Sequence, residues 1–400
     1  MIIIGVLKNP YIMKNIFILY MLLAISSSCQ NNQNQSIDSK DRKNNYRFID
    51  TKKIKKFNNE GRYFYSFLSQ VLPENQLMRK IDRIDKYGVD IYKFYQEKTN
   101  QSIILDEYDL RELKRVRGVY YKNKDSIFFI GINKFIIKNN NNQQLYSKYY
   151  NNPENNSYFP VIITNDSPPF IYNHTLYFTK LIDLKPGDNY YNSNLLIAFD
   201  LKKDSLYELK HTNYPMMYYN KCFLSNELSL KHTKANKDLV ILNYPIDDTL
   251  YIYSLKKQKI IDKKKIRSKY KKGEVKSTDC SKIWDTKTYW EHLYTSYLYN
   301  AIIYDKYRNI YYRIVKLPKK DYDLNKKYNS MNIPFSIMVL DKDFNILAES
   351  EILNIKPEFI WFDYFVNKDG LWISANNPDN PDYNEDTLKF KLFKLEKNEK

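Results

Sequence analysis

Residues Thr387–Leu395 read TLKFKLFKL. Leu388, Phe390 and Leu392 alternate with Lys389 and Lys391, and a period of two belongs to a β-strand with one apolar and one polar face. Working upstream, the same kind of strand recurs as a pair around a polar turn. Ser126–Lys138 (SIFFIGINKFIIK), Leu195–Leu209 (LLIAFDLKKDSLYEL), Leu250–Ile261 (LYIYSLKKQKII) and Ser336–Glu349 (SIMVLDKDFNILAE) all take this form. Their turns use Asp, Asn and Ser in place of glycine, residues that hold a turn through side-chain hydrogen bonds.

The hairpins begin near residues 92, 135, 196, 250, 336 and 388, in steps of 43, 61, 54, 86 and 52. A spacing of roughly 50 residues is that of four-stranded propeller blades. The expected fold is therefore all-β, a single six-bladed β-propeller over residues 46–400. Its rival is a pair of β-sandwiches. Radial blades protect their own edges, which a long run of hairpins must otherwise manage. The last strand is expected to pair with an early one near Tyr46–Phe57 and close the ring. The 86-residue step is room for an insertion or a further blade. Asn75–Glu97 places Leu77, Ile81 and Ile84 at helical spacing, but Gly88 interrupts and Val89, Ile91 and Tyr92 suit a strand, so a strand pair is expected.

Composition narrows the chemistry. The chain has 400 residues, 43% hydrophobic and 16% aromatic, enough for a globular core. Eight glycines leave almost nothing for a Gly-rich phosphate loop. Three cysteines and four histidines exclude a disulfide-dense scaffold and a four-cysteine zinc site. His174, His211, His232 and His292 contain no pair at ligand spacing. There is no H-E-x-x-H and no G-x-S-x-G. No cofactor or metal is expected. The net charge is +18, and lysine is abundant together with Asn, Ile and Tyr. Such charge suits an acidic partner or a simply solvated surface.

The N-terminus carries an export signal. Lys14 precedes the apolar run Ile16–Ile25, which is followed by Ser26-Ser27-Ser28-Cys29. Ten apolar residues are too few to span a hydrocarbon core that needs about 20. A cysteine after small residues is where a bacterial lipoprotein is cut and lipidated. Residues 1–28 are thus expected to be a signal peptide, Cys29 the lipidation site and 29–45, polar and without apolar periodicity, a flexible tether. Cleavage removes Lys8 and Lys14 and no acid, so the charge falls from +18 to +16. The expected location is the cell envelope, anchored at the outer membrane. Cys222 and Cys280 then remain in an oxidising space, as a disulfide or as two buried thiols.

Ile303–Leu317 (IYDKYRNIYYRIVKL), Val339–Ser350 (VLDKDFNILAES) and Phe365–Leu395 resemble an uncharacterised family of Bacteroidota-type lipoproteins, a domain of unknown function related to six-bladed propeller lipoproteins. The resemblance implies an exported, lipid-anchored propeller. It supplies no activity and no catalytic residues.

Candidate ligand-binding residues come from side-chain chemistry. In YDKYRNIYYR, Tyr312 faces one side of its strand, and Tyr311 and Arg313 the other. Arg313, with Arg308 and Tyr312 beside it, is a candidate to hold a carboxylate or sugar hydroxyls in the ring channel. The opposite reading is a structural arginine between blades. Trp284 and Trp290, in the polar, loop-like run SKIWDTKTYWEH, are candidate stacking platforms, whereas Trp361 and Trp372 read as packing. The acidic run Asn376–Asp386 lacks a calcium-loop pattern and reads as a solvated loop. Lys256–Lys276 carries eleven basic residues against Asp262 and Glu274 without the aromatic interleaving of single-strand binders, so nucleic acid is not expected. The expected function is a monomeric envelope lipoprotein binding a glycan, peptide or envelope protein. The alternative is a propeller enzyme acting on glycans, a hydrolase or lyase, with carboxylates from several blades. Convergent Asp or Glu side chains in the channel would mark the enzyme; an aromatic rim without them would mark the binder.

Overall fold

The computed structural model of the protein describes residues 46–58, 69–73, 76–82, 87–93, 99–114, 116–150, 161–182, 190–323, 325–326 and 329–398. The signal segment, Cys29 and the tether lie outside the described residues.

Six antiparallel sheets form a ring, a six-bladed β-propeller. Blade 1 runs Ser69–Leu72, Gln76–Asp82, Tyr87–Lys93, Thr99–Ile104, innermost strand first. Blade 2 spans Gly118 to Tyr149 and blade 4 Lys231 to Lys265, each as a four-strand meander. Blade 3, Val161 to Glu208, carries an extra short strand, Phe170–Tyr172, against its second full strand Thr175–Lys180. Blade 5 spans Leu298 to Glu349. Blade 6 takes Ile360–Asn367, Gly370–Ser374 and Thr387–Lys397 from the chain's end, and its outermost strand is Tyr46–Asn58. The register runs from Tyr46 opposite Lys397 to Asn58 opposite Thr387, so the ring closes as the alternation led one to expect.

The six hairpin starts read from the sequence all fall in one place: the third strand of its blade. These strands are Tyr87–Lys93, Lys134–Lys138, Leu196–Asp200, Thr249–Ser254, Phe335–Leu340 and Thr387–Lys397. Outside blade 6 the third strand is buried on both faces by neighbouring blades, and its apolar signal is correspondingly strong. The strand pair expected at Asn75–Glu97 is the second and third strand of blade 1. The long step from 250 to 336 holds an insertion between blades 4 and 5, with no further blade. Within it, Thr286–Thr295 is a helix where a loop was expected. Asp285 caps it, its Oδ2 accepting from Thr288 N at 2.7 Å. Cys222 and Cys280 form a disulfide, Cα–Cα 5.1 Å, that ties this insertion to the connection between blades 3 and 4.

The core lies between blades. Leu77 and Tyr92 of blade 1 meet Phe57, Phe365, Leu388 and Phe390 of blade 6 at the joint between the two. Ile241 and Ile252 meet Ile302 and Val315 at the joint of blades 4 and 5. The polar face of the last strand is also covered: the Lys391 ammonium lies 5.7 Å from the Phe359 ring centroid and pairs with Glu358. At Gly118, on the innermost strand of blade 2, a Cβ would stand 2.1 Å from Ile163 Cγ2 of blade 3, and only glycine admits this approach. The outermost strand of blade 4, Lys259–Lys265, is mostly exposed and lysine-rich, which discourages edge pairing with another sheet.

Candidate functional site

The inner ends of the blades enclose a cavity of about 280 Å³ on the ring axis. Every blade supplies part of its wall. Blade 1 gives Ser69, Gln70 and Val71, and blade 2 gives Val119 and Tyr120. Blade 5 gives Tyr304, Lys306 and Tyr307, and blade 6 gives Tyr364, Phe365 and Val366. Thr233 and Lys234 come from blade 4, and Asn165, Pro168 and Phe170 from the turn inside blade 3.

That turn crosses the channel. Asn165 Oδ1 accepts from Ser69 N of blade 1 at 2.5 Å, and its Nδ2 donates to the carbonyls of Phe362 and Tyr364 of blade 6, both at 3.3 Å. Ser167 Oγ donates to Leu230 O at 2.8 Å, and His232 N to Asp166 O at 3.1 Å, beside and on the first strand of blade 4. One turn is thus tied to three other blades, and it floors the cavity.

Among the described residues the wall contains aromatic rings, small polar groups and two lysines, and no carboxylate. The nearby acids are committed elsewhere. Asp363 is in a two-point ion pair with Arg79, and Asp166 pairs with Lys231 at 2.6 Å. Tyr307 is 46% exposed at the mouth, while Phe170, Tyr364 and Phe365 are buried along the wall. Burial raises the Tyr120 hydroxyl pKa and pushes Tyr364 well above the phenol range, so both stay neutral. Behind Phe170, His232 is fully buried, and neither ring nitrogen has a hydrogen-bond partner among the described residues. Burial drops its pKa to about 4.

The residues singled out in the sequence lie elsewhere. Arg313 is on the second strand of blade 5 and is fully buried against blade 4. Its Nε donates to Asn243 Oδ1 at 2.8 Å. Nη1 donates to the carbonyls of Asp248 (2.9 Å) and Ile266 (2.7 Å), and Nη2 to that of Asp247 (2.8 Å). The guanidinium also sits 3.5 Å from the Tyr299 ring centroid. It is a structural group between blades, because only innermost strands reach the channel. Tyr312 does face the other side, as strand alternation required. It packs toward blade 6 with its hydroxyl donating to Asp305 at 3.0 Å. Arg308 donates to Asp305 at 2.7 Å and to the carbonyls of Asn367 and Lys368, joining blade 5 to a turn of blade 6.

Trp284 is 63% exposed and Trp290 38%, both on the insertion and outside the cavity wall. Trp290 stacks on Tyr294 with ring centroids 5.9 Å apart. In the acidic run, Asp379 accepts from Asn329 and Asn332, and Asn377, Asn380 and Asn384 hold its turns. In the basic stretch, Lys271 is buried against Asp248 at 2.8 Å. Among the described residues, no helix is long and apolar enough to cross a membrane.

The sequence reading missed Tyr304, Lys306 and Tyr307, although they stand in the same quoted stretch as Arg308 and Arg313. The available signal was order within the blade: they lie on the first strand of the pair and in its turn, and Arg313 on the second.

The family described as Domain of unknown function (DUF4221) matches residues 93–351, which runs from blade 1 to the end of blade 5. The chain belongs to this family. The solved structure of a DUF4221 member from Bacteroides vulgatus is similar at TM-score 0.76 and 21% identity. The match covers 89% of this chain and 100% of that one, and it shows the same fold. A Bacteroides fragilis protein described as a candidate exported protein is similar at TM-score 0.47 and 11% identity, over 87% of this chain and 97% of that one. The WD40 domain of Neurospora crassa Pan2 is similar at TM-score 0.41 and 7% identity, over 82% and 88%. No curated protein matches the chain.

Proposed function

We propose that this DUF4221 chain is a monomeric, lipid-anchored protein of the cell envelope whose propeller binds a glycan in its axial cavity, without catalysing a reaction on it. The observation that carries the binding reading is the cavity wall, which has aromatic rings from four blades and, among the described residues, no Asp or Glu. Hydrolysis or elimination on a sugar needs carboxylates, or groups of equal proton-transfer power, against the scissile bond. Stacking on aromatic faces and hydrogen bonding to neutral polar groups suit retention of a sugar ring. The anchor reading rests on Lys14, the apolar run Ile16–Ile25 and Cys29.

The mature chain, screened on a glycan and peptide array, tests this. Glycan signals are expected, and they should fall about tenfold in Tyr307→Ala, the loss of one well-placed ring contact. Trp290→Ala on the insertion should leave them unchanged. Peptide signals alone, or glycan signals that Tyr307→Ala does not alter, would overturn the reading.

A further inference from the structure

The cavity wall carries two cations, the half-buried Lys234 and the exposed Lys306; most other lysines taken from solvent meet a carboxylate, and the fully buried Lys316 donates to the Leu293 carbonyl instead. Lys231, Lys271 and Lys391 each meet a carboxylate, as do Lys134 and Lys138. Lys234 and Lys306 line the cavity, and among the described residues neither forms an ion pair. Lys234 is half-buried, and its Nζ donates to the carbonyl of Ala235 at 2.8 Å and to that of Lys237. Its ammonium also lies 5.6 Å from the Tyr172 ring centroid. These dipoles and the ring hold the group in place but do not neutralise it. Burial lowers its pKa against a smaller opposing pull from Asp238, a sign that its charge is held at a cost. Lys306 stands on the neighbouring blade, 5.2 Å from the Tyr307 ring centroid. The two strands are joined where Tyr304 N donates to Thr233 Oγ1 at 3.2 Å.

Lys234 is a partly desolvated cation that feels Asp238 but has no carboxylate within ion-pair distance among the described residues, and an anion in the cavity would offset the cost of its burial. Resting on the glycan reading above, we infer that the ligand is an acidic sugar, whose carboxylate occupies the gap between Lys234 and Lys306 while its ring lies against Tyr307. The cavity is at the small end of ligand pockets, so one or two sugar units fit. Charge-assisted hydrogen bonds from two ammonium groups would then separate acidic from neutral sugars of the same size.

The test compares a galacturonic-acid disaccharide with the neutral galactose disaccharide by calorimetry on the mature chain. The acidic sugar is expected to bind roughly tenfold tighter or better, the worth of one charge-assisted hydrogen bond, and to weaken as salt rises. Lys234→Gln with Lys306→Gln should remove that advantage, so that the two sugars bind with similar affinity, whereas Trp290→Ala on the insertion should leave both affinities unchanged. Equal affinity for both sugars in the native chain, or an acidic preference that survives the double substitution, would overturn the inference while the glycan reading stands. Binding of neither disaccharide would overturn both.

Discussion

Arg79 and Asp363 form a buried two-point ion pair across the joint of blades 1 and 6, with Nη1–Oδ1 and Nη2–Oδ2 both 3.0 Å. The joint is the seam of the ring, where chain segments from the two ends of the protein meet. The Arg79 guanidinium also lies 5.3 Å from the centroid of Phe390, whose strand pairs with the N-terminal strand. The pair therefore couples the same elements that the terminal strand closes.

Asp363→Ala should destabilise the protein by about 3–5 kcal/mol, because it deprives a buried guanidinium of its carboxylate. The double substitution Arg79→Met with Asp363→Leu should recover most of that loss, since two apolar groups leave no buried charge. Urea unfolding checks both, through the midpoint at unchanged slope. A single variant within about 1 kcal/mol of the native protein would show that the seam holds without the pair.

The disulfide between Cys222 and Cys280 closes a separation of 58 residues that holds the whole of blade 4 and the first part of the insertion. In the chain-entropy account a loop of that size is worth about 4 kcal/mol through restriction of the unfolded chain. Cys222→Ser with Cys280→Ser should lower the thermal midpoint by several degrees, roughly 1–2 °C for each kcal/mol at this chain length. The exposed insertion helix should become the first site of proteolysis. The readout is a melting curve paired with limited digestion; an unchanged midpoint would place the disulfide's effect outside global stability.

The ring was legible because a propeller repeats its strongest signal once per blade. Six third strands, mostly apolar on both faces though Thr387–Lys397 alternates with lysine, stood out at intervals of 43 to 86 residues, and an early strand near Tyr46–Phe57 was expected to pair with the last. The cavity was far less legible. Some of the first strands around it are weak in sequence: Lys231–Lys234 has little apolar character, and Val161–Ile162 is two residues long. Arg313 carried more recognisable chemistry than Tyr304 or Lys306, but chemistry does not tell which strand of a blade faces the axis. The helix Thr286–Thr295 was missed for a related reason. Its apolar residues Tyr289, Leu293 and Tyr294 cover one narrow contact, and Asp285 was not recognised as its cap. The floor of the cavity, Asn165, works through backbone contacts to two blades, a role that no local pattern announces.

His232 gives the fold a defined acid sensitivity. Its imidazole is fully buried behind Phe170, 5.7 Å between ring centroids, and neither nitrogen has a hydrogen-bond partner among the described residues. Burial lowers its pKa to about 4 from a usual value near 6.5, against a smaller opposing pull from Asp166. The folded state thus binds fewer protons than the unfolded state between about pH 4 and 6.5. Where the unfolded state holds more protons, stability rises with pH. Stability is therefore lost as pH falls through this window, and the shift converts to about 3 kcal/mol once the lower limit is reached. Carboxylates contribute over the same range, so the difference between native and substituted protein isolates the histidine. His232→Leu, close in volume and without a proton to bind, should flatten the fall between pH 6.5 and 4.5. Paired urea titrations at those two pH values check it. Equal losses in both proteins would mean that the folded His232 takes up its proton at the ordinary pH, and that the site behind Phe170 admits water.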